Sequence, residues 1–189
     1  MKRAVILALG AAVVLSGCAP SAREPDNLAL VRVRVLGVDG AGPVTLTGVC
    51  GGANQQDASR GSCQGETFDL ARERLPWSGT EELALTSVSY LLVGEDADLM
   101  AVLFAVLEDR ELGASATVWV AREGAWAALE ACEDPATDLE LLGLQGVQAP
   151  TAVQALAALQ TQGTVILPVV TEQAGRLESR GEDVWKAKR

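Results

Sequence analysis

The sequence predicts an α/β layered domain, a mixed β-sheet with helices packed on it. Three observations carry that expectation. Short runs rich in Val, Leu and Thr alternate with stretches whose apolar residues recur every three or four positions. Turn and cap residues fall between them, at Asp39-Gly40-Ala41-Gly42, Pro76, Gly94 and Gly163. The composition, 49% hydrophobic and 21% charged, is that of a globular chain with a core.

Residues 28–38 alternate, with Leu28, Leu30, Arg32 and Arg34 on one face and Ala29, Val31, Val33 and Val35 on the other. That is a strand pattern. The turn at 39–42 joins it to the β-rich stretch 43–49, so a hairpin is expected. Residues 51–65 are rich in Gly, Gln, Asn and Ser without apolar period, and read as a loop. Its glycines do not make a phosphate cradle, because neither Gly-Lys-Ser/Thr nor Gly-x-Gly-x-x-Gly is present. Residues 66–75 put Phe68, Ala71 and Leu75 on one helical stripe that Pro76 ends. Residues 89–93 form a short apolar run closed by Gly94, as in a buried strand. Residues 96–107 are helical, with Asp98 near the positive end of the helix dipole and Leu99, Val102, Leu103, Val106 and Leu107 facing the core. Residues 116–121 make a strand with Trp119 in the core, and 124–132 a short helix. The stretch 135–148 fits neither period. A helix over 150–160, capped by Gly163, precedes a strand over 164–170, in which Pro168 favours an edge or a strand end. Residues 176–186 supply the final strand.

The amino terminus is organised differently. Lys2 and Arg3 precede an apolar run to Leu15, then Leu15-Ser16-Gly17-Cys18. A basic tip, a short apolar stretch and a small-residue site make a secretory signal. The run falls short of the ~20 residues that span a bilayer. The cysteine directly after Leu-Ser-Gly resembles the bacterial lipoprotein signal, cut before a cysteine that is then acylated. The competing reading is an ordinary signal peptide with an incidental Cys18. The expected division is a signal at 1–17, a polar tether at 18–27 and the folded domain at 28–189. Acyl chains on Cys18 would then hold the domain on the extracytoplasmic face of a membrane.

The formal charge is −10, and loss of Lys2 and Arg3 with the signal takes it to −12. That balance argues against nucleic acid as a partner and leaves no cationic belt for anionic lipid. Cys50, Cys63 and Cys132 remain after Cys18. An odd number permits one bridge and one thiol, and Cys50 with Cys63, bracketing a polar loop, is the plausible pair. Two unbridged thiols is the alternative. With no histidine in the chain, neither a four-ligand metal set nor a His-dependent nucleophile is expected. Lys186 and Lys188, the lysines beyond the signal, stand at the very end. The acidic pairs Glu81 and Glu82, Asp96 and Asp98, and Glu133 and Asp134 read as solvated surface. No catalytic residue, metal or cofactor is therefore expected, and the chain reads as a non-enzyme.

The order of segments resembles the amino-terminal domain of the Ger(x)C family, the C-subunit lipoproteins of bacterial spore germinant receptors. The matching stretches are Arg23-Glu24-Pro25-Asp26-Asn27-Leu28-Ala29, Gly37-Val38-Asp39 closing a strand, and Gly65-Glu66-Thr67-Phe68-Asp69-Leu70-Ala71 on a helix. They continue with Leu91-Leu92-Val93-Gly94-Glu95, Asp109-Arg110-Glu111 and Val118-Trp119-Val120-Ala121. The last are the stretch 151–159, Leu167-Pro168 and Gly181-Glu182-Asp183-Val184-Trp185-Lys186. The family's Trp-Asp after the lipid cysteine is absent, and the Gly- and Cys-containing loop from Cys50 to Cys63 departs from its pattern. Family members continue into two further domains, whereas this chain ends at Arg189. The resemblance implies a lipid-anchored accessory subunit in the spore inner membrane, acting during germination through contact with multi-pass membrane subunits. The competing class is a generic extracytoplasmic lipoprotein that holds a small ligand. Few aromatics are present to line its pocket.

Overall fold

Eight strands share one sheet in the computed structural model, which describes residues 31–50, 59–75 and 83–187. The signal, Cys18, the tether, Pro76, Trp77, Glu81, Glu82 and Lys188 lie outside the described residues. The strands are β1 (Val31–Asp39), β2 (Val44–Cys50), β3 (Ser59–Gly65), β4 (Leu83–Ala84), β5 (Tyr90–Gly94), β6 (Thr117–Ala121), β7 (Thr164–Gln173) and β8 (Arg176–Lys186). Their order is β3-β2-β1-β5-β6-β7-β8, with β4 pairing β1. The centre, β1-β5-β6-β7, is parallel, and β2, β3 and β8 add antiparallel flanks. The expected mixed sheet with helices is thus observed.

The helices are α1 (Phe68–Glu73), α2 (Leu99–Glu108), α3 (Ala125–Ala131), α4 (Pro135–Leu144) and α5 (Ala152–Gln162). They cover both faces. Phe68 and Ala71 of α1, Leu99, Val102, Leu103 and Val106 of α2, and Ala155 and Leu159 of α5 share one core with Val33, Leu36, Val38, Leu91 and Val118. Ala125 and Leu129 of α3, with Leu139 and Leu142 of α4, pack against Val35, Leu92 and Trp119 on the other side. Strands buried on both faces read as continuous apolar runs. In β1 a bulge adds a further reason. Val33 faces Cys50 and Val35 faces Val49, so Arg34 is the extra residue. Val33 lies in the first core, whereas after the bulge Leu36 and Val38 do, so the simple odd–even alternation expected for 28–38 is interrupted.

Local chemistry sets most element ends. Thr67 Oγ1 accepts from Leu70 N at 3.3 Å and opens α1. Asp98 is the N-cap of α2, accepting from Ala101 N at 3.2 Å. A reciprocal Thr151–Gln154 pair starts α5, and Gly163, at φ +72°, ends it. Trp119 is buried as expected, its Nε1 donating to Thr117 Oγ1 at 2.9 Å.

Two readings are corrected. The stretch read as a loop over 51–65 carries β3, an edge strand paired with β2 from Val44↔Gly65 to Cys50↔Ser59. That register also separates Cys50 from Cys63, which stands opposite Leu46. Four residues of strand put the two about 13 Å apart along the ladder, beyond the ~7 Å a bridge tolerates. The ambiguous 135–148 resolves as α4, begun by Asp134, whose Oδ1 accepts from Thr137 N, and by Pro135 in the first turn. Pro168 lies in the penultimate strand beside a bulge in the β7–β8 ladder, and β7 pairs β6 only at Val169 and Val170. The missing N–H is therefore tolerated where β7 runs past the parallel sheet.

Candidate functional site

The carboxyl ends of β1, β5 and β6 open on one crevice of about 410 Å³. In open α/β sheets this end of the strands is where ligands bind. Asp39 closes β1, Gly94-Glu95-Asp96 leaves β5, and Arg122-Glu123-Gly124 joins β6 to α3. The exposed Trp126 indole stands on α3 at the mouth.

Asp39 holds this junction together. Gly124 is the N-cap of α3, at φ +92°, and has no side chain to satisfy the first N–H groups. Asp39 replaces that cap from another strand. Its Oδ1 accepts from Ala125 N and its Oδ2 from Trp126 N, both at 2.6 Å. The carboxylate fits because its neighbour is glycine. A Cβ on Gly94 would collide with Asp39 Oδ1. Burial pushes the Asp39 carboxyl above its ordinary value, opposed by the two N–H donors, with the nearby Asp96 adding to the rise. Asp96 Oδ1 accepts from Gly40 N at 3.4 Å, and Glu95 pairs with Arg122 at 3.4 Å across exposed surface.

Both Asp39 oxygens are thus occupied, so it acts as a positioning residue for α3. Glu123 and the exposed Trp126 indole line the opening together with Thr45, Asp96 and the exposed Glu95–Arg122 pair. The other end of α3 is secured in the same manner. Arg60, from the edge strand β3, donates Nε to Leu129 O at 2.9 Å and Nη2 to Cys132 O and Glu133 O. A guanidinium on the last carbonyls complements the negative end of the helix.

Of the other residues singled out from sequence, Cys132 is buried, and its thiol donates to Asp138 Oδ2 at 3.2 Å. Burial first, then the hydrogen bond to Asp138, pushes that thiol up to about 12. Asp138 also accepts from Leu177 N at 2.9 Å and Arg176 Nε at 3.2 Å, tying α4 to β8. Glu133, Asp134 and Asp96 are exposed, as expected for surface carboxylates. Cys63 donates to Ala71 O at 2.7 Å, and burial raises its thiol as well. Among the described residues, no group of three or more Cys, Asp or Glu is placed to hold a metal ion, and no helix is long and apolar enough to cross a membrane.

Sequence reasoning marked Asp39 as a strand end and missed its role as a cap. The available signal was Gly124 itself, a helix start without a capping side chain. Asp138, the buried carboxylate, was missed altogether.

A second feature stands at the other end of the sheet. β8 pairs with β7 on one side and is the terminal strand of the sheet order. Ile166 and Val184 face one another across that ladder and are 56% and 53% exposed. An exposed apolar pair beside an edge strand is a surface a partner can cover.

Fold and junction define a three-layer α/β protein with an acidic crevice at the strand ends. Comparison with family models, with curated proteins and with solved structures gives no match.

Proposed function

We propose that this chain is a lipid-anchored accessory subunit of a spore nutrient germinant receptor, of the Ger(x)C type. It works by protein contact, with no chemistry of its own. The observation that carries the reading is the order of the resembling segments, from Arg23 to Lys186. The β8 edge with Ile166 and Val184 supports it, because a subunit that acts by contact needs an uncovered surface. Its partners are the multi-pass receptor subunits of the spore inner membrane, and Cys18 is the acylated residue that keeps it on the extracytoplasmic face.

Deleting the gene in a spore-former, with a cross-linked pull-down from spore membranes, tests the reading. The expected result is an impaired response to at least one nutrient and recovery of multi-pass subunits. Normal germination with every nutrient tested, together with no such partner, would remove it. The crevice at the strand ends favours a second reading, an extracytoplasmic lipoprotein that binds a small ligand. A neighbouring transport ATPase gene in place of multi-pass receptor genes would support that one.

A further inference from the structure

A groove of about 690 Å³ runs between the β1–β2 turn, the start of α1 and the length of α2. Its floor is apolar, made by Val44, Phe68 and Val102, and Phe104 stands 42% exposed on its α2 side. Its walls carry five carboxylates and one guanidinium. Two carboxylates are committed. Asp98 caps α2, and Asp109 Oδ2 lies 2.6 Å from Arg72 Nε, an ion-pair contact off hydrogen-bond alignment. Arg72 is spent as well, since its Nη2 meets Glu111 at 2.5 Å. Glu66, Asp69 and Glu108 are exposed and make no ion pair or hydrogen bond among the described residues.

We propose that this groove docks a cationic amphipathic segment of a partner protein. Charge complementarity selects the occupant. Three uncommitted carboxylates around an apolar floor suit Lys or Arg flanking two or three apolar side chains. The net charge of −10, or −12 without the signal, attracts such a segment from a distance and repels nucleic acid and anionic lipid. The ten residues of α2 give a wall about 15 Å long, room for roughly three turns of a docked helix. The proposal stands on the groove alone and survives if the receptor reading fails.

The test uses the full chain with Cys18→Ala, isotope-labelled for amide NMR. The probe is a 12-residue peptide built from three Lys-Leu-Leu-Lys units, with a control in which Glu replaces every Lys. Phenethylamine serves as the small-cation probe. The expected result is saturable shifts confined to the β1–β2 turn, α1 and α2, with no binding of the Glu control. Asp69→Lys with Glu108→Lys should weaken the Lys peptide at least tenfold while circular dichroism stays unchanged. Phe104→Ala should weaken it several-fold. Shifts spread over the whole acidic surface, or centred on Trp126, would overturn the proposal. So would binding by the charge-reversed variant within twofold of the parent, or equal binding of the Glu control. Saturation of the same amides by phenethylamine at lower concentration than the peptide would reassign the groove to a small amine, and the docking proposal would fall.

Discussion

A double-mutant cycle on Asp39 and Gly94 tests the junction directly. Asp39→Ala removes two hydrogen bonds in which a carboxylate accepts from the backbone of α3. Bonds to a charged group contribute about 1.5–3 kcal/mol each. Water reaches the exposed Trp126 side and recovers part of that, and the burial cost that raises the Asp39 carboxyl is relieved. The net loss should be about 2–4 kcal/mol. Gly94→Ala alone should cost nearly as much, for a different reason. The new methyl occupies the place of Asp39 Oδ1, so the carboxylate must leave the cap. In the Asp39→Ala background that collision is gone, and Gly94→Ala should cost less than about 1 kcal/mol, since glycine in a strand contributes little packing. The two changes should therefore couple by about 2 kcal/mol in the compensating direction. Urea unfolding followed by tryptophan fluorescence measures all four corners. Additivity within about 0.5 kcal/mol would refute the claim that Gly94 is there to admit Asp39. A folded domain of this size holds about 5–15 kcal/mol, so each variant remains measurable.

Four further outcomes are expected. Cys18→Ala should move the protein from the membrane pellet to the supernatant; a variant that still pellets in high salt would contradict a lipid-only tether. Arg60→Ala should cost about 1–3 kcal/mol by uncapping α3, and Arg60→Lys should restore only part of it, because one ammonium cannot repeat the fork that spans Leu129, Cys132 and Glu133. Alkylation at pH 8.5 should leave Cys132 unmodified until urea unfolds the chain, and non-reducing digestion should yield no Cys50–Cys63 peptide; either product from the native protein contradicts the structure. The pH dependence of Asp39 has a definite sign. Its folded value lies above the ordinary 3.8, so its contribution is full below that pH and declines as pH rises through the folded value. The stability gap between wild type and Asp39→Ala should therefore be larger at pH 3.5 than at pH 7, and a gap that widens with pH would reverse the assignment.

Most elements were legible because their signals are local. The α2 face at Leu99, Val102, Leu103 and Val106, the Thr151 start and Gly163 stop of α5, and the valine-rich β1 each follow from residues within one or two turns of chain. β3 was not legible, for a physical reason. An edge strand pairs on one side only, so Ser59–Gly65 can be mostly Gly, Ser and Gln while its backbone ladder with β2 is complete. Its informative side chains, Arg60 and Cys63, face opposite sides and make no apolar pattern. α4 was half legible. Asp134-Pro135 is a helix-start signal, but Asp138 interrupts the stripe of Ala136, Leu139 and Leu142, because it turns inward to meet Cys132 and Leu177.

The junction was not legible as a junction, although its parts were read. Asp39 and Ala125 are 86 positions apart, and no periodicity connects them. Three segments that carried the family resemblance, at Gly37-Val38-Asp39, Leu91-Leu92-Val93-Gly94-Glu95 and Val118-Trp119-Val120-Ala121, are β1, β5 and β6 at their carboxyl ends. In the sheet order β5 lies between the other two. Each segment therefore supplies one part of the same arrangement: the capping carboxylate, the glycine that admits it, and the strand that delivers Gly124 and α3 beside it. Gly37 belongs to it too, since a Cβ there would run into Leu129 and Ala125 of α3. What looked like separate short motifs is one packing constraint, the seating of a seven-residue helix too short to hold itself. That constraint concerns how the domain is built. Around it the crevice also presents Thr45, Glu95, Asp96, Arg122, Glu123 and the Trp126 indole, and a ligand taken up at the strand ends would meet these side chains beside an Asp39 carboxylate already committed to α3.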